Sequence, residues 1–352
     1  MRRHSLDNLR WAAALLVFAY HICYLYNGLG IPGGIPGAES LPALDILAGI
    51  VYPWFMVLLF VIAGMSAQYA LERRTDGQFL RERRDRLLAP STLGLLVVHW
   101  VTGYLNIRMG GALAFIPTPL VYPISVISGI GPLWFAQMLF VFSCLLVLLR
   151  RLGWAEKWRE QCENLPSAVF VLLFLPLWGA AQVLNLPVLT MYRFGIYLAA
   201  FLMGYLVLSH EAAQEALARF SLPLLAAAAA GGAAYTVRWL GKDYTDPACL
   251  RSGLTNLYAW TAILAALGCG RRYFDGENAF TRYMRRAGFG IYVLHYPVLL
   301  SVCYCLHTYF DLPAAWNYLL ALTAGLPVTF ALCEIIQRTP VIRYFVLGRR
   351  GR

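Results

Sequence analysis

The chain reads as an all-α, polytopic membrane protein: a bundle of about ten transmembrane helices with both termini on the cytoplasmic side. Three observations carry this reading. The 352 residues are 60% hydrophobic and only 13% charged, with a mean hydropathy of +0.60, a composition that a soluble fold of this length does not sustain. Apolar runs recur that approach the roughly 20 residues needed to cross a bilayer. The cations between those runs alternate in density from one connection to the next, as expected when one side of the membrane collects them.

In chain order the runs cover residues 9–28, 46–71, 88–107, 132–150, 167–184, 192–209, 222–240, 253–270, 287–307 and 315–337. The run at 222–240 is rich in Ala and Gly and weakly hydrophobic, a composition that suits close helix packing in lipid. With the N-terminus inside, the inner connections hold Arg2, Arg3 and Arg10, then Arg73, Arg74, Arg81, Arg83, Arg84 and Arg86. Further along they hold Arg150, Arg151, Lys157 and Arg159, then Arg219, then Arg271, Arg272, Arg282, Arg285 and Arg286, and finally five arginines in 338–352. The outer side keeps Arg108, Arg193, Arg238, Lys242 and Arg251. This asymmetry predicts an even number of spans. It also assigns the net charge of +11 to topology and anionic lipid rather than to nucleic acid.

The eight cysteines form neither a disulfide framework nor a metal-ligand spacing, and no metal is expected. Most lie inside apolar runs, where a thiol acts as a small hydrophobe; Cys249 is placed on an outer loop. The first run has no small-residue cleavage site and is read as retained. Without a repeat, a linker or an appended soluble segment, residues 1–352 are read as one membrane domain.

Arg10 and His21 are the pair that points to chemistry. Eleven helical steps bring His21 to within roughly 20° of Arg10 and about 16 Å deeper along the axis. One stripe of the first span then carries a cation near the surface and an imidazole near the midplane, and ionisable groups inside a membrane helix are costly enough to mark a functional site. The plainer alternative is an arginine that snorkels as an anchor and a hydrogen-bonded packing histidine. Asp7, three residues before Arg10, is within helical reach to orient its guanidinium.

A second cationic feature follows the second run. The segment RRTDGQFLRERRDRLLAP places Arg81, Arg83, Arg84 and Arg86 at the cytoplasmic mouth. Arginine is the side chain suited to bidentate phosphate contacts; juxtamembrane arginines are equally a topology signal.

Together Arg10-x10-His21, LFVIAGMSA in the second run, Arg83-x-x-Arg86 followed by LLAP, PLWF at 132–135, GIYVLHYPVL at 290–299 and the ending CEIIQRTPVIRYFVLG resemble the acyltransferase 3 family. These are bacterial membrane enzymes that acylate sugars and other acceptors outside the cytoplasm, and the resemblance spans nearly the whole chain. The absence of an extra domain and the ending look more like the periplasmic-glucan succinyltransferase branch than the O-antigen acetyltransferase branch. Two departures stand out. Pro132-Leu133-Trp134-Phe135 replaces a common His-Leu-Trp-Phe, and Ala63-Gly64 replaces Ser-Gly.

The resemblance implies a multi-pass protein of the bacterial cytoplasmic membrane that uses acyl-CoA, of acetyl or succinyl type, as co-substrate. The nucleotide is expected on Arg83 and Arg86 with Arg81 and Arg84 beside them, the pantetheine arm along Arg10, and the thioester near His21. The acceptor is expected to be a hydroxyl of a cell-envelope glycan on the outer side. His21 is expected to be the general base, with a covalent acyl-histidine as the mechanistic alternative. His295, Trp134, Tyr292 and Glu334 are weaker pocket candidates, with Glu334 and Arg338 four apart and suited to an i,i+4 pair. His99 is read as packing without a recognisable partner. A secondary transporter is the competing class, since it too needs polar groups at the midplane, but no repeat or paired broken helices support it.

Overall fold

A computed structural model describes residues 4–186 and 192–349, and among them the chain is helical without a β-strand. In order the helices are α1 (His4–Leu25), α2 (Pro42–Leu71), α3 (Asp76–Met109), α4 (Thr118–Ser128), α5 (Trp134–Arg151), α6 (Trp154–Gln161), α7 (Ser167–Ala180), α8 (Phe194–Leu208) and α9 (Glu211–Arg219). They continue with α10 (Ser221–Trp239), α11 (Pro247–Arg251), α12 (Gly253–Tyr273), α13 (Ala279–Tyr309), α14 (Ala314–Arg338) and α15 (Pro340–Leu347).

Six stretches are helical, long and apolar enough to cross a bilayer: α1, α2, α3, Gly131–Arg151 around α5, α13 and α14. They coincide with six of the ten expected runs. The ten-span count is not reached by the other four, for reasons visible in each. The 167–184 run is broken by a turn at Leu173, which leaves two short pieces. The 192–209 run forms the short α8, which meets the test only when joined to α9 across a 97° bend. The helices on 222–240 and 253–270 are long enough, but Ala and Gly dilute α10, and Thr255, Asn256 and Thr261 dilute α12, below the apolarity of a span. The expected inner-side positions of Arg2, Arg3, Arg350 and Arg352 fall on residues outside the described ones.

Contacts group the residues into two compact units, each discontinuous in sequence. The first comprises residues 1–13, 49–80 and 141–285; the second comprises 14–48, 81–140 and 286–352.

In the first unit, α2 and α8 cross at glycine. A Cβ on Gly64 would strike the backbone of Phe201, and one on Gly204 the backbone of Val61. Glycine at both positions is what permits this approach, which gives Gly64 a packing reason; nothing in the structure explains alanine at 63. Cys249 lies buried between Tyr235 and Tyr258 rather than on an open loop. The start of α1 is anchored by the chain between α12 and α13. The Ser5 amide donates to the Asp275 carboxylate at 2.8 Å, and the Asn8 amide donates to the carbonyls of Phe274 and Gly276 at 2.7 and 2.9 Å.

In the second unit, Phe18, Ile22 and Leu25 of α1 pack with Tyr296, Leu299 and Leu300 of α13 and Tyr318 of α14. Helix α3 is not regular: π-helical turns occupy Arg84–Leu88 and Leu95–His99. Pro90 accounts for the first. It has no N–H to offer the Arg86 carbonyl, so the register widens and the Ala89 amide bonds to the Arg84 carbonyl. The last helix, α15, folds back onto α3, where Gly94 meets the Phe345 carbonyl.

Candidate active site

In the second unit His21 and His295 come together. His295 on α13 is wholly buried, and its Nε2 lies 3.2 Å from His21 Nδ1. The same His21 nitrogen lies 2.8 Å from the Val17 carbonyl one turn earlier on α1, while His295 Nδ1 lies 2.6 Å from the Tyr292 carbonyl. A carbonyl only accepts, so each Nδ1 carries a proton. His295 Nε2 is then a lone pair that receives the His21 Nδ1–H together with Val17. In the neutral ring His21 Nε2 is then left unprotonated. This is the tautomer needed for a group that removes a proton from an alcohol or attacks a carbonyl, and it is fixed by the hydrogen bonds of the other ring nitrogen.

Aromatic rings close around this imidazole. The His21 ring centroid lies 5.2 Å from that of Tyr20, 6.0 Å from Tyr24, 4.9 Å from His295 and 5.0 Å from Tyr296. Tyr292 stands 6.1 Å from His295 and 5.8 Å from Phe135, and its hydroxyl donates to the Pro132 carbonyl. Trp134 is buried, with its ring edge-on to Phe135 at 6.4 Å. Of these, His295 touches His21 directly, while Tyr292 packs against His295 and the PLWF segment against Tyr292. Proline at 132 keeps a polar atom there in the form of its carbonyl.

His99 has a partner that the sequence reading missed. Pro297 has no N–H for the Val293 carbonyl four residues earlier, and His99 Nε2 takes that place at 2.8 Å. A proline inside an apolar run was the available signal, because it orphans a carbonyl that some buried donor must satisfy. Glu334 is also corrected. No ion pair to Arg338 occurs among the described residues, and Glu334 Oε1 is buried without a hydrogen bond.

The arginine-rich segment lies at the start of α3. Arg81 and Arg83 sit in its first turns, Arg84 pairs with Asp85 at 3.0 Å and Arg86 pairs with Glu82 at 3.3 Å. The side chains of Arg84 and Arg86 remain 51% and 64% exposed, so both guanidiniums have donors to spare for an anion.

In the first unit Arg10 is half-buried and held from two sides. Its Nη1 bonds Asp7 Oδ1 at 2.6 Å, as the i,i+3 spacing predicts, and its Nη2 donates to the hydroxyl of Ser66. Ser66 belongs to the LFVIAGMSA stretch and was not singled out from sequence, since a lone serine in an apolar run carries no signal. Its own hydroxyl donates to the Ile62 carbonyl, which leaves an oxygen lone pair facing the guanidinium. Among the described residues no group of His, Cys, Asp and Glu is arranged to hold a metal, and the cysteines are free thiols.

A multi-pass helical membrane protein with a tautomer-fixed histidine pair, one ring buried and the other partly so, is the class that these observations define. The chain belongs to the acyltransferase 3 family: the family's acyltransferase domain matches residues 3–338. No curated protein and no solved structure shows a significant match.

Proposed function

We propose that this protein transfers an acyl group from cytoplasmic acyl-CoA, of acetyl or succinyl type, to a hydroxyl of an acceptor outside the cytoplasm, a cell-envelope glycan. The observation that carries the mechanism is the fixed tautomer of His21. In this reading His21 Nε2 accepts the proton of the acceptor hydroxyl as its oxygen attacks the thioester carbonyl. A C–O bond forms, the C–S bond breaks, and the imidazolium returns its proton to the departing thiolate, so that free CoA leaves. In the alternative route Nε2 itself attacks the carbonyl, an N–C bond forms as the C–S bond breaks and CoA departs as its thiolate, and the acceptor oxygen then displaces the imidazole while its proton neutralises the thiolate. His295 holds the first ring in place for both. Arg83 and Arg86, with Arg81 and Arg84, receive the phosphates of the donor.

The family membership supports acyl transfer, and the apolar helices support a multi-pass membrane protein; the bacterial cytoplasmic membrane, the acyl-CoA donor and the glycan acceptor are the proposal's own. A transporter is separated from it by one assay. Membrane vesicles given labelled acyl-CoA and a glycan acceptor should yield free CoA and an acylated glycan; uptake of intact label without thioester cleavage would favour the transporter.

The topology is part of the same reading and has its own test. Cysteines placed at the exposed positions Gln78 and Phe280 should react only with reagents on the cytoplasmic side, and those at Glu39 and Lys242 only with reagents on the outer side. The experiment starts from a variant without the exposed native thiols Cys144 and Cys305. Labelling of positions 39 and 78 from the same side would contradict the N-in arrangement.

A further inference from the structure

The C-terminal turn brings arginines to the start of α3 in a way that the proposed donor site does not use. Helix α15 ends at Gly348, which adopts a left-handed conformation with φ of 61°. The turn lies so close to α3 that a Cβ on Gly348 would collide with the Asp85 carbonyl and approach the Arg86 Cα. Only glycine satisfies both the backbone angle and the approach. One residue later, Arg349 Nη2 donates to the Arg286 carbonyl at the beginning of the second unit's part of α13, at 2.9 Å. Arg343 on α15 donates from Nη1 to the Gln337 carbonyl at 3.3 Å, while its Nε is buried without a partner.

These backbone contacts bring Arg86, Arg286, Arg343 and Arg349 to one end of this unit, near enough for the charges of the first three to act on Arg349. Burial, and then the charges of Arg86, Arg286 and Arg343, lower the pKa of Arg349 below the usual arginine range. An acidic group balances only Arg86 among them. Glu82 pairs with Arg86 and Asp85 with Arg84, while Glu334, on the neighbouring stretch of α14, makes no hydrogen bond through its buried Oε1. Among the described residues no carboxylate forms an ion pair with Arg286, Arg343 or Arg349. Like charges held together by backbone packing repel one another, and a multiply charged anion with several acceptor oxygens relieves that repulsion while filling the free donors.

We infer that Arg286, Arg343 and Arg349, drawn against Arg86 by the Gly348 turn, form a binding site for a phosphoryl group. The chemistry fits two sources, the phosphates of a soluble nucleotide such as CoA and the headgroup of an anionic phospholipid. The nucleotide source rests on the acyl-CoA reading above; the site itself does not.

Purified protein in phosphatidylcholine nanodiscs should bind CoA more tightly than pantetheine, which lacks the phosphates. The Arg343→Ala, Arg349→Ala double variant should lose at least about tenfold in CoA affinity, as expected for charge-assisted hydrogen bonds, and raised salt should have the same effect on the wild type. Lysine at both positions should restore part of the affinity, and Gly348→Val should reproduce the loss while leaving every arginine in place. In a second arm the nanodiscs contain phosphatidylglycerol. If the double variant keeps its CoA affinity but loses stabilisation by phosphatidylglycerol, the ligand is the lipid headgroup. If a folded double variant, checked by helicity and Tm, matches the wild type in both arms, the inference is overturned. A wild type that binds no CoA but is stabilised by phosphatidylglycerol through these arginines would reject the acyl-CoA reading and retain the site.

Discussion

Replacing His21 by Ala or Gln should abolish acyl transfer while leaving acyl-CoA binding intact. The expected loss is roughly 10²- to 10⁴-fold, the range over which a positioned general base accelerates a proton transfer. Glutamine is the sharper variant, because its amide can still donate toward the Val17 carbonyl or the His295 lone pair, as His21 Nδ1 does at 2.8 and 3.2 Å, yet it brings no basic nitrogen. The measurement is release of free CoA and acylation of the acceptor by membranes given labelled acyl-CoA. Label that appears on the protein before acceptor is added, and disappears with the His21 change, selects the acyl-histidine route over direct transfer. A His21→Ala protein that turns over like the wild type removes the catalytic role and returns the Arg10 and His21 stripe to packing.

The second large effect is expected at His295. This residue touches no bond that changes in the proposed reaction; it is a positioning residue, whose lone pair accepts from His21 Nδ1–H beside the Val17 carbonyl and so helps to hold the ring and its tautomer. His295→Phe keeps ring volume in a fully buried position but removes that acceptor. It should lower kcat by about 10²-fold, the scale of a catalytic group loosened from its productive geometry, with KM for acyl-CoA little changed. His295→Asn, whose side-chain carbonyl can accept the same hydrogen bond, should recover part of kcat. Nitrogen NMR of labelled histidine gives a readout independent of activity: wild-type His21 should show the Nδ1–H form, and His295→Phe should show a raised share of the Nε2–H form, because the Val17 carbonyl alone then holds the Nδ1 proton. Equal kcat values for wild type and His295→Phe, with the tautomer unchanged, would reduce His295 to a space-filling residue held by the Tyr292 carbonyl.

What the sequence by itself determined is the class, the long spans and the chemistry of isolated helical pairs. Composition and run length depend on the residues alone, and α1, α2, α3, α13 and α14 fall where the apolar runs lie. Asp7 and Arg10 meet because three residues along an α-helix bring side chains to one face, whatever else the chain does. The same rule failed for Glu334 and Arg338, where the spacing permitted a pair that the side chains do not form. Only the tertiary structure decided which partners lie far apart in sequence. His21 and His295 are 274 residues apart, Arg10 and Ser66 are 56 apart, and His99 takes a carbonyl 194 residues away. Each of these contacts depends on how one helix is rotated and shifted against another. Periodicity within a helix says which residues share a face but carries no information about which face of which other helix it meets, and in lipid the packing of small residues and the need to satisfy buried polar groups settle that choice.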